Sequence, residues 1–239
     1  MSPRAVAVNV GANTNEPGFR APVFADGSFA FVPIPESEPT AEPVPTYGDL
    51  AASLPVDLTA VADTPVHLDP EFAGYPYCER HTYGDPYGVK ARPLAGLERG
   101  DWAFFYATLN TAADDPPAWQ PPDWGAYLIG GFRLAREPVT DWETLAESER
   151  AVFANNAHCK RAEMDAAVLL HGDDGGLFER AVPLSSPTGG TDANRLVTDL
   201  SSDSGKGPWW RRPMQFDPEA TATLREVIDD RCFDGWLRG

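Results

Sequence analysis

Proline and glycine interrupt this chain so often that long helices have little room to form. There are 24 prolines and 21 glycines in 239 residues, close to one residue in five and well above ordinary usage. Short strands joined by loops can live with that spacing, whereas a helical bundle cannot. The segments that escape interruption are apolar. Residues 5–10 (AVAVNV), Trp102–Leu109 and 124–137 (WGAYLIGGFRLARE) read as strands, the last two as an antiparallel pair. The sequence APVFADGSFAFVPIP predicts a hairpin about Asp26-Gly27, and residues 35–46 read as an exposed, proline- and acid-rich loop. A short helical piece is expected at 48–54.

Further along, DWETLAESERAVF (141–153) predicts a helix capped by Asp141, and DPEATATLREVIDDRCF one capped by Asp217 with Pro218 in its first turn. In that second helix Leu224, Val227, Ile228 and Cys232 share a face. The stretch from Met164 to Ser185 reads as strand, glycine turn, then strand or short helix, and 186–207 as loop. These elements amount to an α+β fold with a largely antiparallel sheet. We expect one domain over 1–239, with a barrel-like core at about 94–185 and a loop-rich part at 1–93.

With 42% hydrophobic and 11% aromatic residues the chain can bury a core. No run approaches the roughly 18 consecutive apolar residues of a membrane helix. The N-terminus lacks a signal-peptide pattern, so a soluble, cytoplasmic protein is expected. The 36 acids outnumber 19 bases for a net charge of −17, and Lys90, Lys160 and Lys206 are the only lysines. The composition fits an ordinary acidic protein, but acid-rich, lysine-poor surfaces suit a halophilic one better, since molar salt screens carboxylate repulsion over about 3 Å. Three dispersed cysteines, Cys78, Cys159 and Cys232, argue against a disulfide framework or zinc knuckle; reduced, buried or half-buried thiols are expected. Phosphate-loop, dinucleotide, zinc-protease, esterase and zinc-deaminase signatures are missing.

Three polar clusters remain. The first is His67, Asp69, Glu71, His81, Tyr83 and Asp85, in a loop too long to be idle in a compact domain. On extended backbone His67 and Asp69 point to one side. They can ligate a metal with His81 or Asp85, or form an acid–base couple; turn formation by Asp69-Pro70 and Asp85-Pro86 is the plainer explanation. The second is Asn155, Asn156, His158, Lys160 and Arg161, suited to base edges or phosphate, or to capping a helix end. The third is KGPWWRRP, where Trp209, Trp210 and Arg211 suit stacking on a base and pairing with phosphate.

Leu97-x-x-Gly100-Asp101-x-x-x-Phe105-Tyr106, followed by Tyr127-Leu-Ile-Gly130-Gly-Phe, resembles the core of PUA-like domains such as EVE and ASCH, small barrels that bind RNA or modified DNA bases. More widely, FRAPVFADGSFAFVPIPE, HLDPEF, TYGDP, LERGDWAFFYATL, YLIGGF, NNAH, LLHGDDGGLFERAVPLSS and PWWRRP, in that order, resemble the nucleotide-modification-associated domain family, type three. The resemblance implies a role around modified DNA bases, with nucleotide or DNA as partner. It supplies no mechanism, and no cofactor or metal is assigned.

Three functions follow. In a base-modification protein Trp209 or Trp210 stacks on the base, Asn155 or Asn156 reads its edge, and Arg161 or Arg211 holds phosphate. Tyr83 is expected to join them in binding the nucleotide, and His67, His81 or His158 with Asp69 or Asp85 then moves protons. A non-catalytic reader needs only the aromatic and amide groups, and a scaffold protein none of them.

Overall fold

Both faces of one sheet are buried, and this organises the computed structural model, which describes residues 2–86 and 88–238. The strands are β1 (Ala5–Asn9), β2 (Pro22–Val23), β3 (Ile34–Pro35), β4 (Val66–His67), β5 (His81–Asp85), β6 (Trp102–Thr111), β7 (Trp124–Leu134), β8 (Val168–Pro183), β9 (Ser185–Ser186), β10 (Gly189–Ala193) and β11 (Met214–Phe216). The helices are α1 (Tyr47–Ala51), α2 (Gly88–Ala95), α3 (Glu147–Arg150), α4 (Ala157–Lys160), α5 (Arg195–Thr198) and α6 (Pro218–Asp230). The main sheet runs β11-β1-β6-β7-β8-β5, with β2 also beside β6. Only β1 and β2 lie parallel to a neighbour, one after the other along the same edge of β6. The result is a mixed α/β fold whose curled, mainly antiparallel sheet forms a half-barrel.

Alternation along β6 explains why its sequence is apolar almost throughout. Trp102, Phe104 and Tyr106 face a layer built from Trp209, Met214, Phe216 and the buried side of α6. Ala103, Phe105, Ala107 and Leu109 face the N-terminal half, where Val32, Tyr47, Leu50, Phe72 and Leu94 pack. That half is therefore a packed layer despite its lack of regular structure. Tyrosine hydroxyls pin it: Tyr47 donates to the Pro33 carbonyl and Tyr75 to that of Phe31, each at 2.8 Å.

Several local expectations need correction. The hairpin at Asp26-Gly27 forms but is short: Val23 pairs with Phe29 and the Phe24 amide donates to Ser28, after which β2 also joins β6, while Ile34–Pro35 crosses to pair with β4. The expected helix at 141–153 breaks into a 3-10 turn at 142–144, α3, and another 3-10 turn at 151–153. Of these residues only Phe153 is buried, and a helix with so little to pack gains little from continuity. The glycine run at 172–176 makes no hairpin; β8 passes through it, pairing first with β5 and then with β7. Within the expected 186–207 loop, β10 and α5 form, the latter capped by Asn194. Helix α6 starts as expected, with Asp217 accepting from the Ala220 amide. It ends before Cys232, which is exposed, while Cys78 and Cys159 are half-buried. None of the helices among the described residues is long and apolar enough to cross a membrane.

Candidate functional site

The pairing of β3 with β4 sets His67 opposite Ile34, which brings Glu36 alongside. Glu36 Oε2 lies 2.6 Å from His67 Nδ1. Two residues beyond His67, Asp69 is fixed by the Gly84 amide of β5 (2.9 Å) and by Asn156 Nδ2 (2.7 Å), both donating to Oδ1. Asn156 is also the N-cap of α4, its Oδ1 accepting from the His158 amide, so one amide side chain orients both the carboxylate and the helix that carries His158. His158 Nδ1 meets Asp165 Oδ1 at 2.7 Å. The two imidazoles then stand edge to face with ring centroids 4.6 Å apart, and His158 Nε2 is 3.7 Å from Asp69 Oδ2.

Arg161 ties the two supporting acids together. Its guanidinium donates to Glu36 Oε1 (2.8 Å) and to Asp165 Oδ2 (2.5 Å). From the other wall, Tyr83 donates to Asp85 Oδ2 (2.9 Å) and Lys90 Nζ of α2 to the Asn9 carbonyl (2.9 Å). The cleft between has a volume of about 310 Å³, and His67, Asp69, His158, Tyr83, Asp85 and Lys90 are among its lining residues, with Asn9 and Asn13 on its far side. This is at the lower end of small-molecule sites.

Burial sets the electrostatics. It pushes the Asp69 carboxyl well above the usual range, against the pull of the Gly84 and Asn156 donors. It also lowers His158 to about 4, helped by His67 and opposed by Asp165. For Glu36 burial alone would raise the pKa, but hydrogen bonds from His67 and Arg161 outweigh it and hold the group at about 2. Lys90 is lowered by burial, with Asp85 and Asp69 acting the other way. A neutral imidazole beside a reluctant carboxylate can take up or give a proton at moderate pH. His67, Asp69 and His158 each offer one ligand atom, all within 4.8 Å of one another, so these three can also hold a metal.

The structure gathers His67, Asp69, Tyr83, Asp85, His158 and Arg161 at this cleft, with Asn156 beneath. Other expected site residues lie elsewhere. His81 accepts from the Ala73 amide and packs near Phe132, so the third member beside His67 and Asp69 is His158. Asn155 bonds to Glu71, to the Tyr77 carbonyl and to Lys160. Trp209 is fully buried on the opposite face of the sheet, its Nε1 donating to the Thr191 carbonyl. Trp210 packs edge-on against Trp209 and Trp124, and with Arg211 it lies outside the cleft. Sequence reasoning missed Glu36, Asp165 and Lys90. Glu36 sits in the segment expected to be exposed, yet its side chain is only 2% exposed. A lone acid in a proline-rich stretch carries no signal of that.

A family model for nucleotide modification associated domain 3 matches residues 4–227, nearly the whole chain. The chain belongs to that family. The match spans every element that builds the cleft, from β1 to α4. No curated protein matches the sequence.

Proposed function

We propose that this member of the nucleotide modification associated domain 3 family receives a nucleobase in the His67–Asp69–His158 cleft and takes part in its modification. The observation carrying this reading is the meeting of two imidazoles and a buried carboxylate at the floor of one cleft, in a chain of that family. Buried titratable groups with displaced pKa values gathered in a cavity are the arrangement that proton-transfer chemistry needs.

The cleft suits a base better than a phosphate. Its guanidinium is already committed to Glu36 and Asp165, and Lys90 lies 3.9 Å from Asp85. Carboxylates outnumber cations around it, which disfavours an added anion. What it offers a heterocycle is a set of short polar groups: the Asn9 and Asn13 side chains, the Tyr83 hydroxyl and the Asp85 carboxylate. Arg161 is a positioning residue here, and Trp209, Trp210 and Arg211 have no part in binding. The curled sheet serves as a PUA-like scaffold with the cleft at one edge. A base presented from DNA is taken from a single strand or extruded from the duplex, and the acidic surface suits cytoplasmic work in strong salt.

Calorimetric titration with deoxynucleosides, their monophosphates and short single-stranded DNA in molar KCl tests this. Saturable binding of at least one base is expected, with monophosphates no tighter than nucleosides, and His67→Ala should weaken it. Absence of binding across plain and modified bases would overturn the proposal.

A further inference from the structure

We propose that His67 Nε2, His158 Nε2 and Asp69 Oδ2 bind one divalent transition-metal ion at the floor of the cleft. The inference does not rest on the nucleobase reading, because it follows from which atoms are occupied and which are not. A carboxylate can only accept, so the Nδ1 atoms facing Glu36 and Asp165 carry a ring hydrogen, which leaves Nε2 as the nitrogen of each ring that can offer a lone pair to an ion. Asp69 is similar: both donors that reach it use Oδ1. The hydrogen bonds that hold these three buried side chains thus reach the Nδ1 atoms and Asp69 Oδ1, and the Nε2 atoms and Oδ2 are the ones turned toward one another.

Those three atoms converge. The candidate ligand atoms lie within 4.8 Å of one another, with His158 Nε2 and Asp69 Oδ2 at 3.7 Å. Two imidazoles held about 2.1 Å from one ion have centroids about 4.6 Å apart at a right angle and about 5.3 Å apart at the tetrahedral angle; the rings stand 4.6 Å apart, at the close end of that range. Ligand atoms around such an ion are about 3.0–3.4 Å apart, so loading asks only for a small inward movement.

The surroundings are those of a metal centre. A histidine ligand ordinarily donates its other ring N–H to a carboxylate, which fixes the ring and raises its basicity. Both histidines have that support, and Arg161 cross-links the two carboxylates. Asn156 and the Gly84 amide do the same for Asp69. Two nitrogens and one oxygen suit Zn²⁺, Fe²⁺ or Co²⁺, whereas Mg²⁺ and Ca²⁺ prefer oxygen alone. Three protein ligands leave positions facing the cleft open to water or to a bound molecule, the arrangement of a reactive centre.

The test uses the full chain, stripped with chelator and titrated with Co²⁺ without nucleotide. Visible d–d absorption should rise to saturation at one equivalent and be displaced by Zn²⁺. Asp69→Asn and His158→Gln should each weaken Co²⁺ at least about 100-fold, with circular dichroism confirming that the metal-free variants fold. Glu36→Gln, which reaches the ion only through His67, should cost about 10–100-fold. A measurement on the unaltered protein guards against variants that fail to fold: Zn²⁺ should shift the ring-nitrogen resonances of His67 and His158 and leave those of His81 and His171 in place. No saturable spectrum, affinity indifferent to Asp69→Asn, or Zn²⁺ leaving His67 and His158 unshifted would overturn the proposal. Nucleoside binding is measured separately, so either reading can fail alone.

Discussion

Gly84→Ala is the sharpest single perturbation of this site. Gly84 lies on β5 with ordinary extended backbone, so alanine imposes no dihedral strain; the difficulty is room. A Cβ there would stand 2.6 Å from His158 Cδ2 and 3.1 Å from both His158 Cγ and Asn156 Oδ1. Carbon atoms normally approach no closer than about 3.5 Å, so the ring must retreat by roughly 1 Å. It has nowhere to go cheaply, because Nδ1 is held by Asp165 at 2.7 Å and the helix start by Asn156. Overpacking of this kind costs about 1–3 kcal/mol. For a chain of this size that lowers Tm by about 2–12 °C. Gly88→Ala is the control: at the start of α2 a Cβ meets nothing within 4 Å, so its effect should be neutral or slightly stabilising. Thermal melts followed by circular dichroism decide the matter, read together with Co²⁺ affinity, which should fall at least tenfold in Gly84→Ala alone. A Gly84→Ala protein melting within 1 °C of the parent, with cobalt affinity intact, would refute the geometry assigned to His158.

Arg161→Ala strips the guanidinium from Glu36, whose side chain is 2% exposed, and should cost about 3 kcal/mol in urea unfolding; Arg161→Lys should recover only part, since an ammonium cannot span both acids. A loss below 0.5 kcal/mol for the alanine would contradict the tie. Trp209→Ala should cost about 3–5 kcal/mol as a core truncation, while Trp210→Ala should leave nucleoside affinity unchanged; tenfold weaker binding in the latter would return the indoles to the site. In the metal-free protein, Glu36 is held at about 2 from an ordinary 4.5, and His158 at about 4 from 6.5. Both folded-state values are depressed, so His158 contributes stability above pH 6.5 that fades toward 4, and Glu36 contributes above 4.5 and fades toward 2. Asp69, raised by burial, acts in the opposite sense. Asp69→Asn removes that opposing share, so in this variant urea midpoints should fall from pH 7 to 5 to 3, more steeply than in the parent; a midpoint constant or rising in the variant would contradict the shifts of His158 and Glu36.

The legible part of this molecule was what nearest-neighbour chemistry fixes. The apolar runs of β1, β6 and β7 announce strands, and Asp217-Pro218 announces the start of α6. His67 and Asp69 are visible as a pair because two residues on extended chain face one way. Their partnership with His158, 89 residues or more away in sequence, is set by Asn156 reaching Asp69 across the fold, which no local pattern encodes. The same holds for Glu36, buried because β3 crosses to β4. The tryptophans beside arginines show the converse, a pattern that packing alone accounts for: Trp209 fills the core between the sheet and the C-terminal layer, and Trp210 packs edge-on against it.

The four histidines of this chain provide the most direct test of where ligand binds. His67 and His158 line the cleft; His81 and His171 are half-buried outside it. Long-range nitrogen–proton NMR spectra recorded while a deoxynucleoside is added should show the ring resonances of the first two moving together along one saturable curve, with the other two still. Movement of His81 or His171 instead, or stationary signals from all four while calorimetry reports binding, would place the ligand somewhere else on the protein.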